Sequence, residues 1–289
     1  MKTLEIHLIR HGQTIDNASA TIAGQQPGYL SELGMKQATI TGLYLKDQTF
    51  DVVYCSDLNR TKHTFELIAS SMASMSKTPI FFESLLREKS GGILEGKSLE
   101  LPKKMAAEKG IPIREFKAEG GESWLDVNYR AKKFINILID RHLVDGKDRL
   151  EALGEKKDEV DEEKKVEIEE IPKKKDIDEK IAKDLVNKKD GVGSQSNGGS
   201  RKGSLTSKDE KKLRIMVVTH GGFIIEFMNT VGLLKNNEAP IFKNSATNCS
   251  ITVLKITKKD GNKGLSFEFT RKNDSKHITD YCEKEKGKK

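Results

Sequence analysis

The stretch LEIHLIRHGQT (4–14) runs from an apolar strand into a turn. Leu4, Ile6, Leu8 and Ile9 are dense enough for a strand buried on both faces, and Gly12 stops it. Arg10 and His11 stand side by side at that stop. A second stretch, LRIMVVTHGG (213–222), follows the same plan and places His220 before Gly221. An open α/β sheet receives its ligands at the carboxyl ends of its strands, so both histidines are expected at a binding edge. Glycine after each one lets a backbone N–H approach a ligand without a Cβ in the way.

Outward from these strands the pattern alternates. SELGMKQATITGLYLKD (31–47) carries Leu33, Ala38, Ile40, Leu43, Tyr44 and Leu45 on a helical stripe, with Ser31 as N-cap. FDVVYCS (50–56) reads as a strand. DLNRTKHTFELIASSM (57–72) reads as a helix that Asp57 is placed to cap, and TPIFFE (78–83) as a third strand. A stripe through Leu125, Phe134, Ile137, Leu138 and Leu143 predicts a long helix, and FIIEFMNTVGLL (223–234) another. CSITVLKI (249–256) and LSFEFT (265–270) are strands, joined by a hairpin turn in KDGNKG (259–264). Strands alternating with helices predict an α/β fold with a mostly parallel sheet covered on both faces.

One region breaks the alternation. Residues 151–212 are first dense in lysine and acid, then rich in glycine and serine. Neither part has the apolar content to offset an ordering entropy of about 1–2 kcal/mol per residue. A disordered insertion within one domain is expected there, with a short helix around DEKIAKDLV (178–186) as a variant, and a frayed basic tail over 282–289. The lysines and acids of the insertion cancel, so the net charge of +7 belongs to the rest of the chain. A basic globular part favours anionic ligands: a phosphorylated metabolite, nucleic acid or an acidic membrane. Membrane spanning is not expected, since no apolar run approaches ~18 residues. Nucleic acid is disfavoured because aromatic and basic residues do not interleave. Cys55, Cys249 and Cys282 form no CxxC pair and read as reduced thiols. Together these features predict a soluble cytoplasmic protein without a targeting segment.

Arg60, in CSDLNRTKHT (55–64), falls in the first turns of its helix, near the edge that holds both histidines. Glu88, in LLREKSGG (85–92), follows the third apolar segment. The set suits phosphoryl transfer. A neutral imidazole is a competent nucleophile near pH 7, and two guanidinium groups can hold phosphoryl oxygens bidentately. A second histidine, if protonated, adds a further positive donor. A carboxyl can protonate a departing alkoxide and then take a proton from attacking water. HExxH, EF-hand, CxxC and P-loop patterns are missing from the sequence, so no metal or other cofactor is expected.

LIRHGQTIDN (8–17), SDLNRTKHT (56–64), LREKSGGILEGKS (86–98), GGES (120–123) and VVTHGG (217–222) resemble, in order, the motifs of the histidine phosphatase (phosphoglycerate mutase-like) superfamily. AGQQPGYLSELGMKQA (23–38) and ATNCSITVLKI (246–256) draw the resemblance toward its fructose-2,6-bisphosphatase-like branch. The resemblance implies a three-layer α/β/α sandwich and a phosphohistidine mechanism. It matches His11 to the phosphorylated histidine and Glu88 to the proton donor. Arg10, Arg60 and His220 match the phosphate pocket, joined by Asn17 and the backbone N–H of Gly221. Gly24, Gln25 and Asn248 match further substrate contacts. Ser90, Gly91 and Gly222 depart from the pattern at places expected to border the substrate.

Within this resemblance the alternatives are a phosphoglycerate mutase or a 2,3-bisphosphoglycerate phosphatase. The 32 positions between Glu88 and Gly120 are fewer than mutases use to shield the site, which favours water as acceptor. A catalytically inactive scaffold, acting on a protein partner through the insertion, is the competing reading of another class.

Overall fold

The computed structural model describes residues 2–143, 211–236, 246–258 and 264–286. The expected insertion, the short helix within it and most of the KDGNKG turn lie outside these residues. Two expected boundaries shift. Lys211 and Lys212 already belong to a strand, and a helix continues through 282–286, where a frayed tail was expected.

Strand β1 (Lys2–Arg10) is central, and it is buried from Leu4 to Ile9 as its composition requires. It is joined by β2 (Val52–Cys55), β3 (Ile80–Phe82), β4 (Lys211–Thr219), β5 (Ile251–Lys258) and β6 (Leu265–Asp274). The sheet order is β3-β2-β4-β1-β5-β6. β3, β2, β4 and β1 pair in parallel, while β5 and β6 add an antiparallel margin. The expectation of a mostly parallel sheet therefore holds for its working half, and the whole is a mixed six-stranded sheet. In the β1/β4 register Ile9 meets Val218 and Arg10 meets Thr219. The next residue on each strand is a histidine.

Helices cover both faces. On one side lie α2 (Glu32–Leu45) and α3 (Asn59–Ala69), while α1 (Ile15–Ala18) follows β1 and α4 (Leu101–Glu108) lies in the segment that follows β3. α5 (Trp124–His142) and α6 (Gly221–Asn236) cover the opposite face, and α7 (Lys276–Lys286) packs against α2. Leu4, Ile6 and Leu8 point into the α5/α6 layer with Phe134, Phe223 and Phe227, and Ile9 points into the α2/α3 layer with Phe65 and Ile68. Burying each of these aromatic side chains stabilises the fold by on the order of 2–3 kcal/mol.

The helical stripes are rotated from their expected positions. α5 buries Val127, Ala131, Phe134, Ile135, Leu138 and Ile139 and leaves Leu125 exposed. α2 buries Ala38, Ile40 and Leu45 but exposes Leu33 and Tyr44. Its approach to β1 is close: a Cβ on Gly12 would come 2.4 Å from Gly34 O. Gly12 therefore serves helix packing, and its N–H donates to Thr64 Oγ1 at 3.0 Å, where the sequence had suggested a ligand contact. Ser31 caps α2 as expected, accepting from Gly34 N at 3.1 Å. Asp57 does not cap α3. Leu58 occupies that position, and Asp57 instead accepts two bonds from Arg87, at 2.7 and 2.5 Å.

Candidate active site

The register of β1 and β4 brings His11 and His220 together, with ring centroids 5.2 Å apart. Both are buried at the carboxyl edge of the sheet, and Arg60 on α3 is buried beside them. His11 Nδ1 lies 2.7 Å from Gly12 O. A carbonyl only accepts, so Nδ1 carries the hydrogen and Nε2 presents its lone pair. Burial, followed by the Arg10 and Arg60 charges, pushes the His11 pKa well below the ordinary 6.5. The ring is thus neutral at pH 7, the state a nucleophile needs.

His220 takes the opposite tautomer. Arg60 Nε–H donates to its Nδ1 at 3.2 Å, so Nδ1 is an acceptor and the hydrogen sits on Nε2, which faces Ser56 Oγ at 2.9 Å. Burial first, then Arg60 and His11, drives its pKa well below 6.5. His220 is therefore a neutral donor rather than an imidazolium. The positive charge of the site comes from the arginines, and burial beside two guanidiniums is the reason the second histidine adds none.

Arg60 commits three of its five N–H bonds: Nε to His220, Nη1 to Gln26 O at 3.1 Å and Nη2 to Gly24 O at 2.7 Å. This fixes the plane of its fork. Arg10, also largely buried, donates from Nη1 to Ala246 O. Burial lowers the pKa of both arginines, while the Glu88 charge raises both, which places the carboxylate within electrostatic reach of the pair.

Glu88 stands on the side of the pocket formed by the loop after β3. Its Oε1 accepts from Lys89 N at 2.9 Å and its Oε2 from Gly222 N at 3.1 Å, in the first turn of α6. Gly222 explains itself here. A Cβ at that position would lie 2.3 Å from Glu88 Oε1 and 2.6 Å from the Trp124 ring, so only glycine lets acid, indole and helix meet. Lys89 lies over the same Trp124 ring, 5.7 Å from its centroid.

The remaining expected contacts join the same cluster. Asn17 Oδ1 accepts from Thr14 N at 3.2 Å, closing a capping box on α1, and from Asn248 Nδ2 at 3.3 Å. Asn248 also donates to His11 O at 3.0 Å, tying the start of β5 to the end of β1. Gly221 opens α6 next to His220. Gly24 and Gln25 reach the site through protein partners. Gly24 O receives Arg60, while the Gln25 amide donates to Glu88 O at 3.1 Å and accepts from Arg87 at 3.3 Å. Ser90 and Gly91 face acids: Ser90 N donates to Glu122 and Gly91 N to Glu95.

Sequence reasoning passed over Ser56, Thr64, Trp124, Glu122 and Arg130. Ser56 carried a readable signal, since it follows β2 as His11 follows β1. The others act across distances that spacing does not report. Among the described residues no group of three or more His, Cys, Asp or Glu side chains is arranged to hold a metal ion, and no helix is long and apolar enough to cross a membrane. The three cysteines are free thiols. Burial holds Cys55 up and pushes Cys249 up to about 12, while Cys282 is exposed.

Residues 6–145 match the profile of the histidine phosphatase superfamily (branch 1). The chain is 36% identical over 144 residues to fructose-2,6-bisphosphatase TIGAR B of Danio rerio, covering 50% of this chain and 56% of that protein. It is 36% identical over 97 residues to the probable phosphoglycerate mutase GpmB of Erwinia tasmaniensis, covering 34% and 43%. The chain thus spans about half the length of the curated relatives it matches. Its fold superposes on the crystal structure of phosphoglycerate mutase from Bacillus anthracis with a TM-score of 0.59 at 19% identity, over 96% of each chain, a likeness of fold. The matched region holds His11, Arg60 and Glu88, and strand pairing delivers His220 to them from outside it, so the part of the chain that is similar to the histidine phosphatase superfamily carries most of the site.

Proposed function

We propose that this protein hydrolyses phosphomonoesters through a phosphohistidine on His11 and needs no metal. The observation that carries the reading is the neutral His11 ring, its Nε2 lone pair free, under the charges of the part-buried Arg10 and the buried Arg60, both of which also feel Glu88. In the first step Nε2 attacks phosphorus, and the ester P–O bond breaks. Glu88 is the group that delivers a proton to the departing alkoxide. Arg10 and Arg60 neutralise charge on the phosphoryl oxygens, and His220 holds Arg60 through its Nδ1 and Ser56 through its Nε2–H. In the second step the Glu88 carboxylate takes a proton from water as the water oxygen bonds phosphorus and the N–P bond breaks. Inorganic phosphate leaves and His11 returns to its starting state.

The substrate we favour is a sugar bisphosphate of the fructose-2,6-bisphosphate type, in a cytoplasmic setting. Two observations support it. Relatives at 36% identity carry the name fructose-2,6-bisphosphatase. Lys89 also adjoins Glu88, the group that meets the leaving alcohol, so a second anionic group on that alcohol would find a cation there. A phosphoglycerate mutase or 2,3-bisphosphoglycerate phosphatase is the second reading, favoured by the likeness to the probable mutase. Convergence of His11, Arg60, Glu88 and His220 in one pocket speaks against an inactive scaffold.

The test is a chelator-treated panel of fructose-2,6-bisphosphate, fructose-1,6-bisphosphate, 2,3-bisphosphoglycerate, 3-phosphoglycerate and p-nitrophenyl phosphate. Release of phosphate from the 2-position of fructose-2,6-bisphosphate and not from its 6-position, with slower hydrolysis of p-nitrophenyl phosphate, is the expected result. Conversion of 3-phosphoglycerate to its 2-isomer without phosphate release would favour the mutase. A silent panel would reject the proposal.

A further inference from the structure

The side of the pocket that carries Glu88 has no strand beneath it. After β3 the chain passes through a single 3-10 turn (Ser84–Leu86) into coil, and Glu88 lies in that coil. Its backbone is nevertheless bonded on both sides of the acid, and the bonds converge on one ion pair. Arg130, on the buried core helix α5, donates from Nε to Glu122 Oε1 at 2.8 Å and from Nη2 to Glu122 Oε2 at 2.9 Å. The remaining edge of the guanidinium reaches the carbonyls of Leu85 at 2.6 Å, Arg87 at 2.9 Å and Glu88 itself at 3.4 Å. Glu122 Oε2 in turn accepts from Ser90 N at 2.8 Å. The two side chains are only 15% and 20% exposed.

We infer that Glu122 and Arg130 are positioning residues for Glu88, holding the loop so that its carboxyl meets the leaving oxygen. A planar fork can serve a carboxylate with one edge and carbonyls with the other, whereas an ammonium is a point donor that cannot hold all of them. α5 supplies the rigidity, because Phe134, Leu138 and their neighbours anchor it in the core. The inference rests on the reading of Glu88 as proton donor and adds the residues that aim it.

The test measures the first chemical step alone, with the full chain in excess over substrate. Release of p-nitrophenolate, a leaving group stable without a proton, is compared with release of glycerol from glycerol 2-phosphate, which needs one. In Arg130→Lys and Glu122→Gln, glycerol release should fall about tenfold or more, while p-nitrophenolate release stays within about threefold of wild type. Glu88→Gln should show the same split. Equal losses on both substrates, or no loss on either, would overturn the inference and leave a structural staple. If Arg130→Lys fails to fold, Glu122→Gln decides, since it keeps the side chain's size and an acceptor for Ser90 N–H. A wild-type protein inactive on both substrates would instead overturn the functional proposal, and a Glu88→Gln variant without the split would remove Glu88 as the acid.

Discussion

The floor and the wall of the pocket are built by different means. The floor, His11 and His220 with Arg10 beside them, is set by the backbone. Two parallel strands are in register to their last residue, and each ends on the side chain that matters. The wall, Glu88, is a loop held by the Arg130 side chain of α5, the Gly222 N–H of α6 and the Gln25 side chain. A floor of this kind tolerates little, and each of its histidines is placed by the strand it follows. A wall of this kind is adjustable, and its supports are dispersed over more than a hundred residues.

Substituting the nucleophile tests the comparison most severely. His11→Ala is expected to lower turnover by about 10³-fold or more on every ester, whatever its leaving group, and to abolish acid-labile phosphate on the enzyme. Gly222→Ala attacks the wall without removing a polar group. Its Cβ would displace Glu88 and Trp124, so hydrolysis of alkyl phosphates should fall by about 10- to 100-fold and p-nitrophenyl phosphate by much less. A uniform loss, seen in parallel kinetics on the two substrates, would erase the distinction between floor and wall.

Burial gives the floor a pH signature in stability. The folded pKa values of His11 and His220 lie well below 6.5, so below pH 6.5 the unfolded chain binds protons that the folded one refuses. The stability present above pH 6.5 is lost as pH falls, by up to about 1.4 kcal/mol per pH unit for each histidine. Denaturant melts between pH 7 and 5 should show this decline, less steep in His220→Asn and unchanged in slope in Gly222→Ala. The smallest effect is expected at the rim. Lys89→Ala should raise KM for a sugar bisphosphate about fivefold and leave KM for a monophosphate unchanged, as befits one half-exposed charge worth about 1 kcal/mol. A parallel change in both would show that Lys89 does not meet the second anionic group.

Legibility followed the same division. Arg10, His11 and His220 were readable because each terminates an apolar run, and Arg60 because its helix starts where β2 ends. Ser31 was readable as a cap because capping is a contact over three residues. Asp57 satisfied the same local rule and failed it, since a bidentate partner, Arg87, waited thirty residues away. Gly222 looked like a place for substrate and turned out to make room for Glu88. The protonation of His220 stayed open in the sequence because it depends on burial and on Arg60, whose Nε–H donates to Nδ1 from 160 positions away.

Hydrophobic periodicity and chain-stopping glycines by themselves determined that the chain alternates strand and helix, and which side chains stand at the strand ends. Both are properties of neighbours in sequence, where steric and burial preferences act directly. Tertiary structure alone decided that β4 lies beside β1 with Arg10 opposite Thr219, that β5 and β6 run antiparallel, and that Arg130 and Glu122 brace Glu88. Hydrogen-bond registers and buried ion pairs form between segments far apart along the chain, and their geometry exists only once the core has packed.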